Sequence, residues 1–450
     1  MHYFRKEDAM DTLVKLIHDT STRLTGSPRD YDPLLDSAGD GRFVLLGEAS
    51  HGTHEFYRER ARITQRLISE KGFNTVVTEA DWPDAYQINR FAHGRGPADA
   101  VEALDGFRRF PQWMWRNADV LDFVGWLRSH NDGQKSETAK TSFYGLDLYS
   151  LHSSIEAVLQ YLGRIDPESA RRAREHYGCF DHFGADSQRY GMAAGLGLAP
   201  SCEDAVVKEL MELRKREGQY LERDGAVAAD ELFCAKQNAL VVKNAEQYYR
   251  SMFRSEVSSW NLRDQHMMET LMMISSHLEE VQKSAKIVVW AHNSHLGDAR
   301  ATQMGRHGEL NLGQLVRERC VGQSFHIGFT TCTGTVAAAS EWDGPAERKK
   351  VRAALPGSYE DLFHQAGHPC FWLEFGKHPQ LAVQLTKERL ERAIGVIYRP
   401  DTERASHYFK ARLAEQFDAV LHFDETRAVE PLERSARKSG EVEETFPSGF

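Results

Sequence analysis

Short apolar runs rich in β-branched and aromatic residues recur along the chain in two separated blocks. The first block holds 42–47 (RFVLLG), 74–79 (NTVVTE) and 142–147 (SFYGLD). The second holds 286–291 (KIVVWA), 324–329 (SFHIGF), 370–375 (CFWLEF), 394–398 (IGVIY) and 418–423 (DAVLHF). Helical patterns separate most of them, the alternation expected of a mainly parallel β-sheet flanked by helices. Near-continuous Val, Leu and Ile predicts strands buried on both faces. From about Leu151 to Ala285 the pattern changes. Segments 203–222, 235–253 and 264–282 carry apolar residues at helical spacing, the last with Met267, Met268, Leu271, Ile274 and Leu278. At that spacing the methionines read as helical core rather than as a ligand groove. The expected α/β organisation is a discontinuous core over 1–150 and 285–425 and a large α-helical insertion over 151–284 forming one wall of a cleft. The polar stretch 426–450 is expected to fray as a tail.

Composition narrows the function classes. The 450 residues carry 56 Lys and Arg against 66 Asp and Glu, a formal charge of −10. That balance argues against nucleic acid and anionic membrane as partners, since both need a positive field. No run approaches the roughly 18–20 apolar residues of a membrane span, and the N-terminus has no charged-then-apolar signal pattern, so a cytoplasmic location is expected. The six cysteines are far apart with no CxxC pair, and reduced, mostly buried thiols are expected. GxSxG, GxxxxGK and HExxH motifs are absent, which removes most of the prior for common serine hydrolases, P-loop enzymes and zincins.

The residues just past each strand are more informative, because ligands of open α/β sheets bind outside the carboxyl ends of the strands. VLLG is followed by Glu48, VVT by Glu79 and Asp81, FYGL by Asp147, and VVWA by His292, Asn293, Ser294 and His295. Asp and Asn there are ordinary helix caps, but Glu is a poor cap and a histidine pair is stranger still. In GEASHGTHEFYRERARITQRLI, Glu48 and His51 sit in a Gly-flanked turn and Thr53 is placed to cap the next helix. On that helix Phe56, Ile63 and Leu67 mark the buried stripe, and Arg60 falls on it. An inward arginine needs a carboxylate such as Glu48 or Glu79, because an unpaired interior charge is costly. His51 suits a general base, Glu48 an orienting group, and His292 and His295 donors to a carbonyl oxygen or leaving group. With no serine or cysteine elbow, direct attack by water is the economical mechanism. An alternative makes His51, His54, His292 and His295 ligands of zinc or iron in a metal-dependent hydrolase.

These residues resemble the erythromycin esterase family. The resemblance runs through GEASHGTHEFYRERARITQRLI, TEADWPDAYQINRF, RFPQWMWRN, YGLDLYS, VSSWNLRDQHM, WAHNSHLGD and RPDTERASHYF, from about Gly41 to Phe423. It implies an α/β core with a helical insertion and a deep cleft, and hydrolysis of a macrolide lactone, a cyclic ester, by activated water without a covalent intermediate; no cofactor is expected, with a weakly bound metal left open. It also implies His51 as base, Glu48 as its orienting partner, Arg60 and Glu79 beside them, and His292 and His295 in the second motif. Asp147 and Asn293 are added from their strand-end positions as substrate-binding candidates. Trp82 and Trp113, in the aromatic segments 82–86 and 110–115, are candidates for the walls of the cleft, although each can equally be core. The expected partner is a small-molecule ester or lactone. Two further readings stay open: a homologue that binds small molecules without turnover, and a succinoglycan-related role, for which no glycosyl- or phosphate-handling motif is found.

Overall fold

The computed structural model describes residues 2–184, 186–224, 228–253 and 256–433. Eleven strands occur among them: β1 (Thr22–Arg23), β2 (Phe43–Leu46), β3 (Thr75–Asp81), β4 (Ser142–Asp147), β5 (Ile287–Trp290), β6 (Ser324–Ala338), β7 (Glu347–Val351), β8 (Cys370–Glu374), β9 (Arg389–Arg392), β10 (Tyr408–Ala411) and β11 (Ala419–Thr426). Nine build one sheet in the order β1-β8-β11-β6-β2-β5-β3-β4, with β7 folded back on the end of β6. The run from β11 to β4 is parallel throughout, and antiparallel pairing is confined to β8, β1 and β7. This is the mixed α/β fold with a mainly parallel sheet.

The all-apolar strands are explained by cover on both sides. Val44 and Leu46 of β2, with Val288 and Trp290 of β5, face Phe56, Ile63 and Leu67 of the helix His54–Lys71. Phe43, Leu45, Ile287 and Val289 face the other way, against Met267, Met268, Leu271 and Ile274 of the helix Glu256–Gln282. Each such side chain removed from water contributes about 1.5–3 kcal/mol, so neither face tolerates a polar substitution. The methionine stripe is core. Between β4 and β5 the described chain is helical from Leu151 to Gln282. Its central helix, Ala228–Met252, packs against the helices 151–165, 187–195, 203–215 and 256–282.

Four expectations are corrected. Residues 394–398 are not a strand: Ile394 and Ile397 make single parallel bridges to Ser50 and Ala339. The apolar character of that run reflects burial of Ile394 and Tyr398 against Val336, Ala338 and Val351, not a ladder. The neighbouring ribbon is instead β9 paired with β10. Thr53 stands at the N-cap but does not cap with its side chain, which bonds the Ser50 hydroxyl at 2.5 Å. Cys179 and Cys202 form a disulfide, Cα atoms 5.9 Å apart, because the intervening helix Ser187–Gly195 brings the chain back. Of the expected tail, 426–433 is packed, with Thr426 in β11 and Ala428 and Val429 buried; 434–450 lies outside the described residues. No described helix is long and apolar enough to cross a membrane.

Candidate active site

β2, β5, β3 and β4 are adjacent and parallel, so the residues after them share one edge of the sheet. Glu48 and His51 follow β2, His292 and His295 follow β5, and Glu79 and Asp147 close β3 and β4. All six are buried. Gly47 is needed where the first turn leaves the sheet: a Cβ there would lie 2.1 Å from Asn293 Oδ1. Gly52, at φ +73°, lets the turn pass Ala337, whose carbonyl oxygen would be 2.2 Å from a Cβ.

His51 Nδ1 donates to Glu48 Oε1 at 2.9 Å, which leaves Nε2 with its lone pair, the form a general base requires. Glu48 Oε2 is 3.0 Å from Arg60 Nη2. This is an ion contact without hydrogen-bond geometry, since neither atom has a hydrogen-bond partner among the described residues. The Arg60 guanidinium, fully buried, lies over the rings of Tyr57 (4.4 Å) and Trp290 (5.2 Å). The inward arginine is thus paired with Glu48, and a flat cation between aromatic faces is a use only Arg serves well.

His292 is a different imidazole. Its Nδ1 accepts the Ser294 backbone N–H at 3.2 Å and lies 2.8 Å from the Ser294 hydroxyl, so the ring proton sits on Nε2. That nitrogen has no hydrogen bond of good geometry among the described residues. Burial, then the nearby His51 ring at 4.9 Å, pushes its pKa well down and keeps it neutral. A buried, neutral N–H donor results.

His295 is a third kind. Its Nδ1 donates to Asp264 at 2.9 Å, its ring stacks on Trp260 at 4.5 Å, and its Nε2 faces Arg263 Nη1 at 3.0 Å and Glu79 Oε1 at 3.4 Å. Burial opposes a charge, but Asp264 and Glu79 outweigh it and raise the pKa. The Arg263 contact favours the neutral ring, so with Nδ1–H held by Asp264 the proton that comes and goes is on Nε2. Arg263 also donates to Asp147 by Nε (3.0 Å) and Nη2 (2.6 Å) and to Glu79 by Nη2 (2.7 Å). Burial alone would raise the Glu79 pKa; His295, Arg263 and His51 overcome it and hold the carboxyl well below the usual range. Glu79 Oε2 accepts the His292 backbone N–H at 2.9 Å, tying β3 to the second motif.

The structure therefore brings together His51, Glu48, Arg60, Glu79, His292, His295 and Asp147. Asn293 does not offer its amide to a ligand: Nδ2 donates to the Phe329 carbonyl at 2.8 Å and Oδ1 accepts the Phe329 N–H at 3.3 Å, bolting β5 to β6. Trp82 is core, stacked on Tyr144 at 5.3 Å with Nε1 donating to Cys234 Sγ. Trp113 is also buried in the core, edge-on to Phe110 at 5.2 Å. Helix entry straight after β3 puts Trp82 under the chain rather than over the strand ends. Arg263 and Asp264 were missed, although Asp264 lies four residues after Trp260 and four before Met268 on an apolar stripe, the same signal that singled out Arg60.

The four-histidine metal set does not assemble. His54 is bonded to Asp119 (2.9 Å) and to Arg427 (2.8 Å), away from the other three. The Arg263 guanidinium occupies the face of His295, Glu79 and Asp147 that a cation would need. Among the described residues no three His, Cys, Asp or Glu are grouped to hold a metal.

Residues 68–426 match the family model described as erythromycin esterase. The chain is 23% identical over 420 residues to an erythromycin esterase type II of Escherichia coli, covering 89% of this chain and 93% of that one. It is 22% identical over 402 residues to a putative hydrolase of Bacillus subtilis (strain 168), covering 84% and 82%. Among solved structures, a mutant of the erythromycin esterase EreC in its open conformation superposes with a TM-score of 0.65 at 17% identity, covering 91% of this chain and 98% of that one.

Proposed function

The chain belongs to the erythromycin esterase family, a family of hydrolases, and from that premise we propose that it cleaves a carboxylic ester or lactone by general-base activation of water, with no covalent intermediate. His51 Nε2 takes the proton of a water molecule as its oxygen attacks the acyl carbon. Glu48, held by Arg60, keeps the Nδ1 proton and stabilises the imidazolium that forms. The neutral Nε2–H of His292 donates to the carbonyl oxygen as it gains charge. His295 returns a proton from Nε2 to the departing alkoxide, and Arg263 with Asp264, Glu79 and Asp147 keeps its ring in place. Water enters, the acyl–oxygen bond breaks, and acid and alcohol leave; the proton taken by His51 then passes through solvent to His295, so atoms and protons balance and both rings are reset.

The observation that carries this reading is the contrast among three buried imidazoles within one strand-end cluster: one whose Nδ1 donates to Glu48, one whose Nδ1 accepts a main-chain N–H, and one held between Asp264 and Arg263. The name of the Escherichia coli relative puts macrolide lactones first in the panel to be tested. The protein is incubated with macrolides, simple lactones and aryl esters in a chelating buffer, and products are sought by mass spectrometry as the gain of one water. Hydrolysis is expected to persist with chelator present. His51→Ala is expected to lower kcat by about 10²–10⁴, the usual worth of a general base. A variant as active as the parent would remove His51 from the role of base, and activity abolished by the chelator would favour a metal mechanism.

A further inference from the structure

A second polar cluster lies beneath the two motif turns. Glu391 of β9 and Glu360 of the helix Tyr359–Gln365 are both fully buried, and Gln416 nearly so. Glu360 Oε1 accepts the Arg392 backbone N–H at 2.8 Å. Among the described residues Glu360 Oε2, both oxygens of Glu391 and Gln416 Oε1 have no hydrogen-bond partner. The amides of Gln416 and Asn293 approach Glu391 without reaching hydrogen-bond geometry. On Glu360, Glu391 and Gln416 every unpartnered atom is an acceptor, and a buried set of acceptors needs a donor.

The neighbouring charges do not supply one. The Arg392 guanidinium donates to the Thr331 and Cys332 carbonyls (3.0 and 3.1 Å) and the Arg352 carbonyl (2.8 Å), and its Nε faces Glu403 at 3.2 Å. Glu403 also accepts from Tyr398. The Tyr359 hydroxyl donates to main-chain carbonyls, and Tyr408 accepts from Leu355 and faces Arg392 by its ring. Glu360 has the Arg392 charge within reach, whereas Glu391 has only the like charge of Glu360 beside it, a state that favours a proton on Glu391. Burial, reinforced by Glu360, pushes the Glu391 pKa well up, in agreement.

The location matters because β9 runs directly into the main chain that holds the first motif. Ile394 N–H donates to the Ala49 carbonyl at 2.8 Å, and His51 N–H donates to the Ile394 carbonyl at 3.1 Å. Asn293, beside Glu391, is the bolt of the second motif. We propose that Glu391 is a positioning residue that works as a neutral carboxylic acid, bracing the main chain behind the two motif turns. In treating those turns as catalytic the inference rests on the hydrolase reading.

The test is Glu391→Gln in the full chain, compared with the parent by urea unfolding from pH 5.5 to 8. A group whose folded pKa lies above its unfolded value contributes stability below the unfolded pKa and loses it as pH rises toward the folded one. The parent therefore loses stability with pH relative to the variant, and the ratio of their unfolding constants is expected to change about tenfold per pH unit, one proton's worth. Groups common to both proteins cancel. The infrared band of a protonated carboxylic acid, present in the parent at pH 7, is expected to weaken in the variant. A flat ratio with an unchanged band overturns the neutral acid. A parent stabilised by added sodium, potassium or calcium when Glu391→Gln is not would replace the proton by a bound cation. With an aryl ester the alkaline limb of kcat is expected to move to higher pH in Glu391→Gln; an unmoved limb overturns the positioning role. Should the parent cleave no ester, the hydrolase reading fails while the unfolding ratio still decides the proton.

Discussion

Three imidazoles of identical chemistry sit within one cluster, and their partners alone make them different. His51 gives its Nδ1 proton to a carboxylate, His292 receives a main-chain N–H at the same atom, and His295 is caught between Asp264 and a guanidinium. Asp264→Asn removes the charge that raises the His295 pKa, so the limb of the pH–rate profile that reports on His295 is expected to move to lower pH. An unshifted profile would show that His295 does not titrate in turnover. Arg60→Met leaves Glu48 buried without its cation, and a loss of about 3–5 kcal/mol of stability in urea unfolding is expected. Arg60 was readable from its place on an apolar stripe. The tautomer of His292 was not, because it depends on which atom of Ser294 reaches the ring.

At the scale of elements, the site is set by where strands stop and how tightly the next turn must leave. β2 and β5 are four residues each, and both are followed at once by turns pressed together. Gly47→Ala would drive a Cβ into Asn293 Oδ1, and a cost of about 1–3 kcal/mol is expected, as for other overpacked sites. Calorimetry checks it, and a Gly47→Ala variant melting with the parent would mean that the Asn293 bolt is slack. Strand periodicity and helical spacing predicted most elements, since each depends on burial of one face. The run 394–398 misled because burial does not specify a ladder: Ile394 is buried by side-chain packing while its main chain grips Ala49 and His51. Trp82 and Trp113 stood open between core and wall, and packing places both in the core, as aromatic clustering marks a core as readily as a wall.

Across the whole molecule, acid sensitivity follows from histidines buried away from solvent. Desolvation, with Arg317 adding, pushes His326 down to about 4, and burial alone accounts for most of the same value at His266 and His407. Their folded pKa values lie below the unfolded one, so the unfolded chain takes up protons that the folded chain refuses. Stability is therefore lost as pH falls from about 6.5 toward 4. His326→Asn, whatever its offset, is expected to lose stability on acidification less steeply than the parent by ~1.4 kcal/mol per pH unit. Equal slopes would place His326 in contact with solvent.

The order of apolar runs and the acids and histidines at their ends were enough to establish an α/β fold with a mainly parallel sheet, and to gather Glu48, His51, Glu79, Asp147, His292 and His295 at one edge. These follow from local pattern and from the rule that strand ends converge. Tertiary structure alone decided that a helix from the other side of the sheet brings Arg263 and Asp264 into the cluster. It also decided that Asn293 is spent on Phe329, and that Glu391 is buried beside it. The physical reason is that periodicity reports which face of an element is buried, whereas the charge a side chain carries depends on neighbours more than a hundred residues away in the chain, such as Arg263 against Glu79 and Asp147.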